Sequence, residues 1–315
     1  MLFNVCALYI KIMNNENQTI HKSNDNLTIY GWNEKLNQLK QESIYSTLAH
    51  GRVSIVHRTC YEVISGNGLF QCELTGNMMY GKSDDELPCT GDWVIFQPFD
   101  EHKGIIVDSL PRERTLYRKK SGTVADKQVI ASYVDKAFIV QSLDDNFNVR
   151  RVERFMVQIM EENISSVLVL NKADLDFDRQ SVEEQIKHIS SQIPVFFTSI
   201  HQLETIVRLR KSISEGETVV FVGSSGVGKS SLVNALCEKP VLLTSDISLS
   251  TGKGRHTSTR REMVLMDSSG VLIDTPGVRE FGLAIDNPDS LAEVLEISDY
   301  AESCRFKDCK HINEP

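Results

Sequence analysis

Hydrophobic and polar residues alternate in short runs along residues 46–110, and the alternation predicts strands over 51–57, 59–64, 68–74, 92–99 and 103–110. Glycines at 66, 68, 76, 81, 91 and 104 punctuate the runs and supply turns. Five short strands in so brief a stretch predict a small closed β-barrel, of the oligonucleotide-binding (OB) type or, on strand spacing alone, another small β-domain such as an SH3-like barrel. Past Val129 the texture changes. Near-continuous apolar runs at 136–141, 166–170, 195–198 and 218–222 alternate with amphipathic stretches at 149–162, 182–192 and 203–212. Apolar strands joined by helical crossovers predict a parallel sheet covered on both faces, with no internal repeat.

Composition narrows this picture. At 315 residues and 41% hydrophobic the chain can bury the core of two domains and a small appendage. Its net charge of -9 argues against bulk adhesion to nucleic acid, which is driven by Lys and Arg displacing counterions, so any RNA contact must use local basic patches. One such patch is the run 111–120, PRERTLYRKK, with five basic residues against one acid. The seven cysteines are scattered, except for Cys304 and Cys309, which fits a reducing cytoplasm better than a disulfide framework. The apolar opening, residues 1–10, is too short to span a bilayer and lacks a cleavage site. Residues 1–12 read as an upstream extension with Met13 as the alternative start, followed by a polar leader over 14–26. The expected division is an N-terminal extension, partly disordered, over 1–45; the barrel over 46–110; a basic linker over 111–130; an α/β nucleotide-binding domain over 131–285; and a short C-terminal segment over 286–315.

The chemistry-bearing residues begin with Gly223, Ser224, Ser225, Gly226, Val227, Gly228, Lys229 and Ser230, placed after an apolar strand and before a helical stretch starting at Ser231. Strand, glycine loop and helix is the context of a phosphate-binding loop, whose backbone N–H groups and helix N-terminus cradle phosphates. Lys229 would reach the β- and γ-phosphates and Ser230 would ligate magnesium. Asn171, Lys172 and Asp174 form NKxD after another apolar strand; the Asp174 carboxylate can accept two hydrogen bonds from guanine that adenine lacks. Thr198 and Ser199 are the expected loop behind the base. Residues 270–277 read as a strand ending in DTPG, with Asp274 holding magnesium through a water and Gly277 sensing the γ-phosphate. Between these lies the threonine-rich run 248–261, a switch segment in which Thr257 or Thr259 would contact the metal.

These motifs stand in a rotated order. A Ras-like chain runs phosphate loop, switch threonine, DxxG, NKxD and base-backing loop, whereas here NKxD and the base-backing residues come first. The order predicts a circular permutation, which leaves the sheet intact while moving the termini. Where Ras-like enzymes carry a water-orienting Gln after DxxG, this chain has Val278, so intrinsic turnover should be slow and His256 is the local candidate to orient water. In the tail, Cys304, Cys309 and His311 offer three soft ligands for a structural zinc, and the fourth ligand expected of a closed site lies beyond Pro315, as in a C-terminally truncated sequence.

The permuted order, the run GSSGVGKSSLVNAL, the switch GKGRHTSTR, DTPGVREFGL and CRFKDCKH together resemble the bacterial small-ribosomal-subunit-dependent GTPases, the RsgA/YjeQ family, over about residues 46–315. The resemblance implies an N-terminal OB-fold barrel, a circularly permuted P-loop GTPase domain and a zinc-binding C-terminal domain, truncated here. It implies GTP and GDP, Mg²⁺ and one structural Zn²⁺ as ligands, and hydrolysis stimulated by the small ribosomal subunit and its rRNA late in subunit assembly. It implies a cytoplasmic monomer without membrane contact, with Cys304, Cys309 and His311 as zinc ligands and His256 in the switch. Two other readings remain at this stage: a permuted GTPase serving a non-ribosomal partner, and a nucleotide-holding scaffold without turnover.

Overall fold

A computed structural model describes residues 27–119, 127–237, 261–266 and 270–274. The barrel is built from β1 (Ala49–Val56), β2 (Tyr61–Ser65), β3 (Gly68–Leu74), β4 (Trp93–Asp100) and β5 (Lys103–Ser109). Their order β1-β2-β3-β5-β4, with β1 also paired to β4, closes the barrel, and β3 runs parallel to β5. This is the OB-like arrangement rather than the SH3-like one. Val53, Val63, Phe70, Cys72, Val94, Phe96 and Ile106 fill the interior, and Met78 of the short helix α1′ that joins β3 to β4, Gly76–Gly81, closes one end.

Residues 27–45, within the expected N-terminal extension, form a 3₁₀ turn (Leu27–Tyr30) and a helix (Glu34–Glu42) laid on the barrel wall. Asn33 caps that helix by accepting from the Leu36 N–H at 3.1 Å. Leu27 and Leu36 are buried with Trp93, and Trp32 meets Trp93 edge-on at 4.8 Å. The expectations for residues 1–26 lie outside the described residues. The basic connector also differs from a plain linker. It folds into a hairpin, β6 (Leu116–Lys119) with β7 (Lys127–Ala131), antiparallel and bulged after Leu116.

The second sheet contains β8 (Lys136–Ser142), β9 (Ser165–Asn171), β10 (Val195–Thr198), β11 (Thr218–Val222), β12 (Glu262–Leu265) and β13 (Val271–Asp274), in the order β10-β9-β8-β11-β13-β12. All its pairings are parallel except the edge pairing β12–β13. Helix αA (Val149–Glu161) crosses from β8 to β9, αB (Leu203–Lys211) from β10 to β11, and αC (Lys229–Leu236) follows β11. The helix expected over 182–192 starts earlier, at Arg179, where Asp178 caps it, and breaks at Ile186 into two short pieces. Val182, Ile186 and Ile189, spaced i, i+4 and i+7, all face the same core across the break. Two apolar layers cover the sheet: Ile139, Val152, Met156, Leu168 and Leu170 on one face, Phe138, Val169, Leu209, Phe221 and Leu232 on the other. β12 also pairs with β1 at Ile55–Glu262, so the two sheets are continuous.

Buried charges lock the junction. The fully buried Arg52 of β1 donates to the carbonyls of Tyr30, Gly91 (2.9 Å) and Tyr133 (3.4 Å) and to the Thr218 hydroxyl at the start of β11 (2.8 Å). Arg112 clasps the buried Asp92 through two nitrogens, and Arg114 pairs with Asp135 at 2.9 Å. Two of the five basic residues in the connector are therefore committed to acids of the fold, one buried and one half-buried.

Candidate nucleotide site

The chain lays β8 to β10 outward on one side and β11 to β13 outward on the other, so the topological switch point lies between β8 and β11. In open α/β sheets ligands bind beyond the carboxyl ends of the strands at that point. The loop after β11 is the glycine loop 223–228, and it has the backbone such a loop needs. Gly223 (φ 146°) would place a Cβ 2.4 Å from the Val140 carbonyl, and Gly228 (φ 94°) would place one 2.3 Å from the Asn171 side-chain nitrogen. Only glycine fits both positions. Ser225 and Gly226 form the exposed crest, Val227 is buried under it, and Gly228 caps αC, whose first residues are Lys229, Ser230 and Ser231. The Lys229 ammonium donates to the Gly223 and Ser224 carbonyls, each at 2.7 Å, and so arches over the loop.

The NKxD residues come to this same edge. Buried Asn171, the last residue of β9, donates through its amide to the Val227 carbonyl at 2.8 Å and accepts from the Thr198 hydroxyl at 3.2 Å. One side chain thus ties together the loops after β9, β10 and β11. Asp174 lies exposed beyond it, and a hydrogen bond from the Ser199 hydroxyl, with smaller help from neighbouring positive groups, holds its carboxyl below the ordinary carboxylate range. An exposed carboxylate kept charged, beside a buried threonine and serine, can accept paired donors from a planar base.

Sequence reasoning missed the loop after β8. Lys172, in a left-handed conformation (φ 63°), is held by Asp144 at 2.7 Å. Partial burial works to raise the Asp144 carboxyl, but Lys172, the Ser142 hydroxyl and the Asn146 N–H together bring it below its usual value. Arg151, in the first turn of αA, and Asn146 both donate to the Ser224 hydroxyl, at 3.1 and 3.2 Å. The one available signal was positional: these residues follow an apolar strand at the switch point.

Of the residues expected to hold magnesium, Ser230 lies in the first turn of αC and Asp274 ends β13, which runs beside β11 with Ile273 level with Val220. Serine and aspartate are oxygen donors of the kind a hard cation takes. His256, Thr257, Thr259, Gly277, Val278, Cys304, Cys309 and His311 lie outside the described residues. Among the described residues no cluster of three or more metal-ligating side chains occurs, and no helix is long and apolar enough to cross a membrane.

Known proteins place this geometry. The RsgA GTPase family model matches residues 109–284. The small ribosomal subunit biogenesis GTPase RsgA 1 of Bacteroides thetaiotaomicron is 75% identical over 292 residues, covering 93% of this chain and 82% of that protein. The small ribosomal subunit biogenesis GTPase RsgA of Methanosarcina acetivorans is 38% identical over 314 residues, covering 96% and 83%. Among solved structures, YjeQ from Thermotoga maritima is similar with a TM-score of 0.62 at 25% identity, covering 85% of this chain and 88% of that one. YloQ, described as a circularly permuted GTPase, shares the fold with a TM-score of 0.60 at 21% identity, covering 87% of each. With a rotated motif order, a sheet that rebuilds one nucleotide edge, and these matches across most of its length, the chain belongs to the RsgA GTPase family.

Proposed function

We propose that this chain hydrolyses GTP while helping to mature the small ribosomal subunit, in keeping with its relatives' names as small ribosomal subunit biogenesis GTPases. The observation that supports the reading is the Asn171 side chain bonded to the Val227 carbonyl, which ties the end of β9, where the proposed guanine reader follows, to the glycine loop. In this reading Asp174 accepts from the N1–H and amino group of guanine, with Asn171, Lys172, Thr198 and Ser199 shaping the base pocket. The N–H groups of 223–231 and the Lys229 ammonium take the phosphates, Lys229 giving up its loop carbonyls for phosphate oxygens. Magnesium, when bound through Ser230, Asp274 and Thr257 or Thr259, supplies positive charge to the β- and γ-phosphate oxygens.

Hydrolysis transfers the γ-phosphoryl group to water and leaves GDP and phosphate, so the protein's task is to position and to neutralise. His256 orients the attacking water, Gly277 senses the γ-phosphate, and Val278, which cannot hold a water, keeps unstimulated turnover slow. Cys304, Cys309 and His311 hold a structural zinc in the same reading, and the protein works as a cytoplasmic monomer. GTP turnover measured with and without purified small ribosomal subunits tests the proposal. Acceleration by subunits is expected; turnover indifferent to them would reject the ribosomal role, and GTP binding with no turnover in either condition would reject the enzyme.

A further inference from the structure

We propose that Arg151 is a positioning residue for the terminal phosphate of GTP, acting through Ser224, whose hydroxyl it turns into a fixed donor. The inference deepens the nucleotide reading above and rests on it. Nη1 of Arg151 lies 3.1 Å from the Ser224 hydroxyl oxygen and 3.1 Å from both the carbonyl and the side-chain oxygen of Asn146. It also lies 3.4 Å from the side-chain oxygen of the fully buried Gln141. All these partners are neutral, so the guanidinium serves here as a set of donors rather than as half of an ion pair.

The donor inventory fixes which way each group points. A guanidinium can only donate, so the Asn146 side-chain oxygen is the atom that faces Arg151, and the Asn146 amide nitrogen is left to face Ser224, at 3.2 Å. The Ser224 oxygen therefore accepts twice, from Asn146 and from Arg151. A hydroxyl has two acceptor positions and one hydrogen; with both acceptor positions filled it can only donate, along the one direction left to it. A free serine hydroxyl rotates to suit its surroundings, whereas this one is set before any ligand arrives. The setting is itself braced. Asn146 donates its backbone N–H to Asp144 at 3.0 Å, and Asp144 is held at 2.7 Å by Lys172 of the NKxD run.

Ser224 borders the place of the outer phosphates. The Lys229 ammonium, which in the nucleotide reading reaches the β- and γ-phosphates, rests at 2.7 Å on the Gly223 and Ser224 carbonyls. The second residue of the loop thus lies against the position those phosphates take. A donor fixed there favours GTP over GDP, because GDP lacks the γ-phosphate that would receive it.

The experiment is a double-mutant cycle on the full chain: wild type, Arg151→Met, Ser224→Ala and the pair, each titrated with GDP and with a non-hydrolysable GTP analogue in the presence of Mg²⁺. Ser224→Ala should weaken the analogue about tenfold, the scale of one hydrogen bond to a charged group, and GDP by less than about twofold. Arg151→Met, which keeps the aliphatic stem, should weaken the analogue several-fold and spare GDP likewise. In the Ser224→Ala background Arg151→Met should change the analogue's affinity no further, because the donor it sets is gone. Equal losses for the two nucleotides would make Arg151 a general brace of the loop and overturn the assignment. Losses that add in the pair would make the two residues independent and overturn it equally. Urea unfolding shows that each variant is folded, and if Arg151→Met is not, Arg151→Gln takes its place in the cycle. If the wild type binds neither nucleotide, the nucleotide reading itself falls and takes the inference with it; if it binds both and the variants keep its GTP-to-GDP ratio, the inference alone falls.

Discussion

Strand β11 has two ends that were built by different means. At its carboxyl end the chain turns through Gly223 into the phosphate loop, and every contact that defines the loop is dictated by a few adjacent residues and their backbone angles. At its amino end Thr218 is gripped by Arg52, a residue 166 positions away, whose guanidinium also reaches three carbonyls from three other segments. The first end is local and tolerates no side chain at its glycines. The second is assembled only when the barrel, the N-terminal helix and the α/β domain are all in place. A strand fixed at one end by tertiary contacts presents its other end as a rigid platform, which is what a phosphate cradle requires.

The largest effect is expected at the amino end. Arg52 is fully buried, and burial pushes its pKa down to about 10 in spite of nearby Asp135, which still leaves it charged at neutral pH, with its donors spent on buried acceptors. Arg52→Ala would leave several buried acceptors unpaired and a cavity, and should lower stability by about 3–5 kcal/mol in urea unfolding. A loss below 1 kcal/mol would show that the junction does not depend on this residue. At the carboxyl end Gly228→Ala forces a Cβ to 2.3 Å from the Asn171 amide at a φ of 94°. GTP affinity should drop about 100-fold, or about 3 kcal/mol, with the fold retained; calorimetric titration showing wild-type affinity would remove the glycine loop from the nucleotide site.

That difference also explains what could be read from the chain. The strands at 68–74, 195–198 and 218–222 have the bounds expected, and the glycine loop was legible because P-loop geometry depends on residue types at fixed short spacing. The loop after β8 carries Asp144, Asn146 and Arg151, which resemble any polar surface until β8 and β11 become neighbours. Likewise Arg112 and Arg114 read as a free basic run, because their partners Asp92 and Asp135 are distant or unremarkable in sequence. The hairpin β6–β7 was hidden by its charge, and the break at Ile186 by an apolar period that suits one long helix as well as two short ones.

A smaller change separates base reading from phosphate binding. Asp174→Asn replaces a charged acceptor, held charged mainly by Ser199, with a group that can accept only one of guanine's two donors. Selectivity for GTP over ATP should fall by at least tenfold, about 1.4 kcal/mol or more, while the melting temperature changes little because the residue is exposed. Competition binding with both nucleotides decides it, and an unaltered preference for GTP would mean that another residue reads the base.

The smallest effect lies back at the barrel, and it is a dependence on pH. His50 of β1 packs against Trp32 with ring centroids 4.1 Å apart and the rings tilted by 37°, and burial followed by the nearby Lys40 charge lowers its pKa to about 4 from 6.5. Because the folded value lies below the unfolded one, the unfolded chain takes up the proton first as the medium is acidified. Stability is therefore fully present above about pH 6.5 and declines as pH falls toward 4, the opposite of what a His gaining an acidic partner would show. Discounted for the partial exposure of the ring, the contribution is on the order of 1 kcal/mol. His50→Asn should flatten that part of the stability profile between pH 7 and pH 5. Urea unfolding across this range checks it: a slope identical in the two proteins would show that burial against Trp32 does not exclude the protonated ring.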